Sequence, residues 1–231
     1  MQKAINSNRS PRAGECKEKL FCAKYKKVIF LAVAIAAFNQ RSGINAILYY
    51  APHIFKMAGA ATDSAFLQSV VVGFTNLVFT MLALTVIDKL GRKKLMFIGS
   101  VGYIASLGIL TAVFTVRGGH FSSTGGILVL SCLVLFIASH AFGQGAVIWV
   151  FINEIFPTKV RAQGSALGSL THWVMAAVIS WTFPIFAKMS GAVVFGMCAG
   201  CMVLQLLWVL FIMSETKGIP LEKMQKELGL E

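Results

Sequence analysis

The sequence predicts an all-α integral membrane protein with six transmembrane helices. Three observations carry that expectation. Of the residues, 57% are hydrophobic and only 13% charged, about half the charged fraction of soluble domains. Six apolar segments, at 26–48, 65–87, 95–116, 126–150, 165–187 and 192–213, each reach about the 20 residues that a helix needs to cross the hydrocarbon core. No segment alternates with a period of two, which argues against a membrane β-barrel.

The connections set the order and the orientation. Residues 1–24 form a polar, basic segment that opens "MQKAINSNRSPRAGECKEKL". It lacks the apolar stretch of a secretory leader. The first and second spans join through "MAGAATDS", the second and third through the tight basic turn "DKLGRKK" (88–94), and the third and fourth through "RGGHFSSTGG". "NEIFPTKVRAQG" (153–164) and "AKMSGA" follow, and residues 214–231 form a tail after the six-helix domain at 25–213. Of the 21 Lys and Arg residues, 17 fall on the side of the termini and of the 88–94 and 153–164 loops. Only Lys56, Arg117 and Lys188 fall opposite, and Arg41 lies within a span. This is the positive-inside pattern, and it places both termini in the cytoplasm. The net charge of +12 therefore records orientation, and no nucleic-acid partner is expected.

Several residues are too polar for their depth. "NQRSGINAILYY" (39–50) closes the first span with Asn39, Gln40, Arg41, Ser42 and Asn45, where polar groups cost free energy unless they pair or face water. Gln40 and Asn45 carry neutral amides that donate and accept, as adjacent sugar hydroxyls do, and are cheaper to bury than a carboxylate. Asn45 and Tyr49 share a helix face at i and i+4, and Gly43 permits a local break. Interhelical hydrogen bonding without a ligand explains such residues equally well. Asn76 lies mid-span, Trp149 near the inner end of the fourth span, and His172 and Trp173 within the fifth. Indole faces suit sugar C–H faces, and Trp208 reads as an interfacial anchor. "CAGC" (198–201), with Gly196 and Gly200, reads as small-residue packing rather than a metal or redox pair. Ser165, Ser169 and His172 sit at helical spacings but lack a nucleophile setting, so an intramembrane protease is set aside. No metal-ligand or phosphate-loop motif is present, and no cofactor is expected.

A charged cluster gathers at the cytoplasmic helix ends. Asp88, Arg92, Glu154, Arg161 and Glu215 form an expected ion-pair latch that can bias a two-state equilibrium. Snorkelling at the interface is the simpler alternative.

"NQRSGINAILYYAPHIF", "DKLGRKKL", "GQGAVIWVFINEIFPTKVRAQG" and "SETKGIPLEKM" resemble, in order and at matching topology, the sugar-porter branch of the major facilitator superfamily. The resemblance covers nearly all of 25–227 and only the C-terminal six of that family's twelve helices. It implies 3+3 inverted repeats and sugar contacts at Asn39, Gln40, Asn45, Tyr49, Asn76, Trp149, His172 and Trp173. It implies a latch of Asp88, Gly91, Arg92, Glu154, Arg161, Glu215 and Lys217. Departures are Asn39 for a glutamine, Arg41 for an apolar or small residue, Ala141 for a glutamate, His172 for a glutamine or asparagine, and Ser214 for a proline.

The function expected from the resemblance is transport of a monosaccharide, a pentose or hexose, by alternating access and with proton coupling. The site is the cell (inner or plasma) membrane. This chain would supply the C-terminal half, with membrane lipid around it and an N-terminal six-helix half in the same or a separate chain. The alternative is a truncated, non-transporting membrane protein that binds sugar or a partner half.

Overall fold

A computed structural model of the chain describes residues 19–57, 62–117 and 123–230. Most of the predicted N-terminal segment and the tips of two predicted outer loops lie outside the described residues. Helices α1 (Lys26–Arg41) and α2 (Ile44–Met57) share the first span. They are followed by α3 (Thr62–Leu90), α4 (Arg92–Arg117), α5 (Ser123–His140), a π-helical turn (Ala141–Gly145) and α6 (Ala146–Ile155). Then come α7 (Arg161–Met189), α8 (Gly191–Phe211) and the short α9 (Leu221–Glu227). Six stretches are long and apolar enough to cross a membrane: Ala23–Pro52, Leu67–Leu90, Arg92–Val116, Gly125–Ile155, Arg161–Phe186 and Gly191–Phe211. The described chain is helical with no strand, as expected.

The predicted break at Gly43 is present. Gly43 adopts φ +84°, a region in which a side chain clashes with the backbone. Ser42 mends the ladder there: its hydroxyl donates to the Asn39 carbonyl at 2.6 Å and accepts the Ile44 N–H at 3.3 Å. Such repair is needed because lipid offers broken backbone groups no partner. The fourth span carries its own irregularity at Ala141–Gly145, between α5 and α6. Gly99 and Gly143 let α4 meet this turn backbone to backbone: a Cβ built on Gly143 would lie 2.9 Å from the Gly99 Cα.

Along the spans the core is two apolar clusters with polar residues between them. One contains Val28, Leu31, Leu95, Val147, Phe151 and Val209. The other contains Ile44, Phe55, Tyr103, Phe136, Phe195 and Met202. In four spans the polar residues fall in the chain between the two: Asn39, Gln40, Ser42, Ser100, His140, Gln144 and Gln205 are buried at those positions.

Trp208 is not an interfacial anchor. It is 5% exposed and packs on Phe38, with ring centroids 5.9 Å apart. It belongs to the first of these buried clusters, whereas Trp181, at 84% exposure, faces outward. Of the two glycines at and beside "CAGC", Gly196 closely approaches Thr111, while a Cβ on Gly200 would meet nothing within 4 Å. Only half of the expected small-residue face is therefore a packing contact.

Candidate functional site

The bend between α1 and α2 aims its amides into a cleft of about 340 Å³, near the lower end of the roughly 300–1,000 Å³ usual for small-ligand pockets. Asn39, Gln40 and Asn45 line it with Asn76 and Thr80 of α3, His140 and Gly145 beside the π turn, Trp149 of α6, and His172 and Trp173 of α7. Seven of the eight residues expected to contact sugar thus meet around one space. Tyr49 is not among its lining residues and is 62% exposed. The lining stripe of α2 is Ile44, Asn45 and Leu48, and Tyr49 falls roughly 90° from its centre. Tyr50, next in the chain, stacks on Phe183 at 5.1 Å.

Gln40 is the hub. It is fully buried, and its amide oxygen accepts from Asn45 Nδ2 at 2.9 Å. Its amide nitrogen donates to Asn39 Oδ1 at 3.0 Å and lies 3.1–3.2 Å from both ring nitrogens of His172. A neutral imidazole has one acceptor nitrogen, which receives this bond. His172 also packs between two indoles, with centroids 4.9 Å from Trp149 and 5.1 Å from Trp173. Trp149 and Trp173 are 38% and 59% exposed, so both present apolar surface beside the polar hub.

Arg41 does not join the cleft. It lines a separate cavity of about 240 Å³ with Phe183, Cys198 and Cys201. A cation at this depth calls for a wet surrounding, but the walls of this cavity are largely apolar. The guanidinium sits in the last turn of α1, where the helix dipole favours a cation.

The charged cluster at the helix ends is built around Arg92, which is 7% exposed. Its Nε and NH2 donate to the two carboxylate oxygens of Glu154 at 3.0 and 2.7 Å, the two-pronged geometry that guanidinium favours. Its NH1 lies 3.0 Å from Asp88. Thr216 Oγ1 donates to Glu154 at 2.5 Å. Glu215 departs from the expected ion pair. Its carboxylate accepts the backbone N–H groups of Arg92 and Lys93 at 2.9 and 3.1 Å, so it caps the N-terminus of α4, where orphan donors and the helix dipole favour an anion. Arg161 pairs with no acid among the described residues: its Nε donates to the Phe156 carbonyl at 3.3 Å, holding the α6–α7 connection instead. A third cavity, about 610 Å³, is lined by Glu154, Arg161, Thr216, Asn153 and Trp149. Trp149 borders both this cavity and the cleft.

Sequence reasoning passed over His140, Tyr103, Gln205 and Thr80. Each stands alone in an apolar run, and no spacing rule joins residues on different helices. Their depth was the available signal, since an intramembrane polar side chain implies a partner.

Comparison with known proteins gives the family. The family described as "Sugar (and other) transporter" matches residues 1–228. The D-xylose-proton symporter of Escherichia coli K12 is 38% identical over 208 residues, covering 86% of this chain and 40% of the symporter. The facilitated trehalose transporter Tret1 of Bombyx mori is 33% identical over 231 residues, covering 97% of this chain and 45% of that protein. Among solved structures, the inward-open xylose transporter XylE from E. coli superposes with a TM-score of 0.77 at 31% identity, covering 98% of this chain and 45% of XylE. The chain spans less than half the length of these relatives.

Proposed function

The chain belongs to the sugar (and other) transporter family, and from that premise we propose that it moves a monosaccharide, a pentose or hexose, across the cell membrane by alternating access. In this reading the chain forms the C-terminal six-helix half of a major-facilitator transporter, both termini are cytoplasmic, and an N-terminal half in the same or a separate chain supplies the facing wall. The observation that carries it is the cleft itself: amides from α1, α2 and α3 converge with two indoles and two imidazoles on one space. Amides match paired hydroxyls, and indole faces match C–H faces.

The mechanism follows from where the polar groups sit. Sugar entering the cleft exchanges water for Asn45, Asn76 and the Gln40–His172 pair, with Trp149 and Trp173 packing on the ring. Trp149 stands between the cleft and the larger cavity at the cytoplasmic end, so a rotation there changes which side the sugar can leave from. The Arg92–Glu154 pair ties α4 to α6. An ion pair of this kind biases one conformation when formed and releases the other when broken. Proton coupling would draw on a carboxylate of the facing half, since no Asp or Glu lines the cleft.

The test is uptake of labelled xylose and glucose into proteoliposomes. Three samples are compared: the chain alone, the chain joined to the N-terminal half of the E. coli xylose symporter, and empty vesicles, each with and without a pH gradient. Saturable uptake that needs both halves and is competed by unlabelled monosaccharide supports the reading. Stimulation by an acid-outside gradient supports coupling. A correctly inserted joined protein that neither binds nor moves a monosaccharide overturns it.

A further inference from the structure

Behind the cleft runs a chain of five buried polar side chains, Ser100 and Tyr103 on α4, His140 and Gln144 at the π turn, and Gln205 on α8. Its direction is fixed from one end. The Ser100 hydroxyl donates to the Met96 carbonyl at 2.7 Å, an acceptor that cannot reverse. With that proton committed, the Ser100 oxygen accepts from Gln205 Nε2 at 2.9 Å. The Gln205 amide oxygen then accepts from Gln144 Nε2, which turns the Gln144 oxygen toward Tyr103. Two oxygens need one hydrogen, so the Tyr103 hydroxyl donates to Gln144 Oε1 at 3.0 Å. Tyr103 has only one proton. With that proton given to an oxygen, its contact with His140 Nδ1 must be one in which the ring N–H donates and the phenol oxygen accepts.

The consequence lies at the other nitrogen. A neutral imidazole protonated at Nδ1 leaves Nε2 as a bare acceptor. His140 lines the cleft, and its Cδ2–Nε2 edge faces Gly145, 3.4 and 3.5 Å from where a Cβ on that glycine would stand. Nε2 makes no hydrogen bond among the described residues. Nor is it among the buried polar atoms left unpartnered, which are Ser180 Oγ and Trp208 Nε1, so the cleft is where it is open. The chain behind it ends on the Met96 carbonyl, with a side branch from Tyr103 to Ser42 at the bend, and it serves to fix orientation.

We propose that His140 is a further substrate-contacting residue, in which Nε2 accepts a hydrogen bond from one sugar hydroxyl while Tyr103 acts as a positioning residue that holds the tautomer. This rests on the sugar-transport reading and adds a polarity to it. The amides of the cleft both donate and accept, but His140 demands a donor. A sugar hydroxyl satisfies it, whereas a fluorine at the same carbon, which only accepts, does not.

The test is binding of a deoxy- and fluoro-sugar series to the intact transporter that contains this chain. The parent protein is compared with the variants His140→Phe, His140→Gln and Tyr103→Phe. In the parent, replacing one particular hydroxyl by fluorine weakens binding by about tenfold, as expected for one lost hydrogen bond of about 1–1.5 kcal/mol. His140→Phe binds the parent sugar about as weakly and no longer distinguishes hydroxyl from fluorine at that carbon. His140→Gln, which keeps an acceptor at comparable reach, restores part of the discrimination. Tyr103→Phe frees the tautomer and reduces the discrimination without abolishing binding. A general packing defect would instead weaken every analogue equally. Discrimination at each carbon that is unchanged in His140→Phe overturns the inference while leaving sugar transport standing. A parent protein that binds no monosaccharide overturns both.

Discussion

The Gln40 amide nitrogen lies 3.2 and 3.1 Å from the two ring nitrogens of His172, tying the bent end of α1 to the middle of α7. Gln40 has no surface exposure, so it shapes the cleft by holding Asn39, Asn45 and His172 in place. Removing it leaves those three short of partners.

Gln40→Ala is therefore expected to weaken sugar binding by tenfold or more, since at least one hydrogen bond of about 1–1.5 kcal/mol is lost and its neighbours lose their alignment. Trp173→Ala removes an exposed indole face and lowers affinity by a similar order, with little effect on stability. Equilibrium binding of labelled monosaccharide to the assembled transporter checks both. Unchanged affinity in the two variants would remove the site assignment.

Arg92→Ala tests the latch role of the charged cluster. The guanidinium is buried but Glu154 is 32% exposed, so the cost of leaving that carboxylate alone is moderated by solvent, at about 1–3 kcal/mol. No cleft residue is touched. Turnover is expected to fall at least tenfold while sugar affinity changes less than threefold, read by comparing counterflow with binding. Equal losses in both would argue against a conformational latch.

The spans, the Gly43 break and the residues of the cleft were legible in the sequence, each for a local reason. Apolar length reports a membrane crossing, a glycine beside Ser42 reports a bend, and amides at depth report a polar space. The wiring was not legible. Glu215 and Arg161 look like ion-pair partners by charge alone, yet Glu215 is drawn to the backbone donors that open α4, and Arg161 to a carbonyl. Which oxygen a charge finds depends on where helix ends stop in space. The His140–Tyr103–Gln144–Gln205–Ser100 chain joins three spans whose side chains share a depth but no period. Tyr49 sits beside Asn45 by the i, i+4 rule, but that rule does not say which side of Asn45 faces the cleft.

Gly91 joins backbone strain to the same cluster. Its φ is +91°, and a Cβ there would lie 2.6 Å from a Glu215 carboxylate oxygen. Gly91→Ala is expected to destabilise by about 1–2 kcal/mol from the backbone alone, and further by pushing Glu215 off the α4 N-terminus. Glu215→Gln keeps an acceptor but loses the charge, and should cost less, about 0.3–1 kcal/mol. Thermal unfolding in detergent should rank Gly91→Ala below Glu215→Gln. The reverse order would mean that the carboxylate charge, not the turn, secures this corner.

The crossing of α4 with the π turn offers the sharpest contrast between glycines that share a helix. A Cβ on Gly99 would meet the Ser139 carbonyl oxygen at 2.9 Å and the Gly143 Cα at 3.0 Å. These are backbone atoms, so no side chain can swing aside, and packed interiors resist such intrusion. A Cβ on Gly108, in the same helix, would meet nothing within 4 Å. Gly99→Ala is expected to lower stability by about 1–3 kcal/mol. It also displaces the turn that carries His140 and Gln144, so sugar affinity should fall with it. Gly108→Ala should be neutral or stabilising by up to about 1 kcal/mol, because alanine favours the helix interior over glycine. Paired melting and binding measurements on the two variants check this. If Gly99→Ala melts with the parent protein, the close crossing does not exist in the membrane, and the polar chain that depends on it would have to be wired differently.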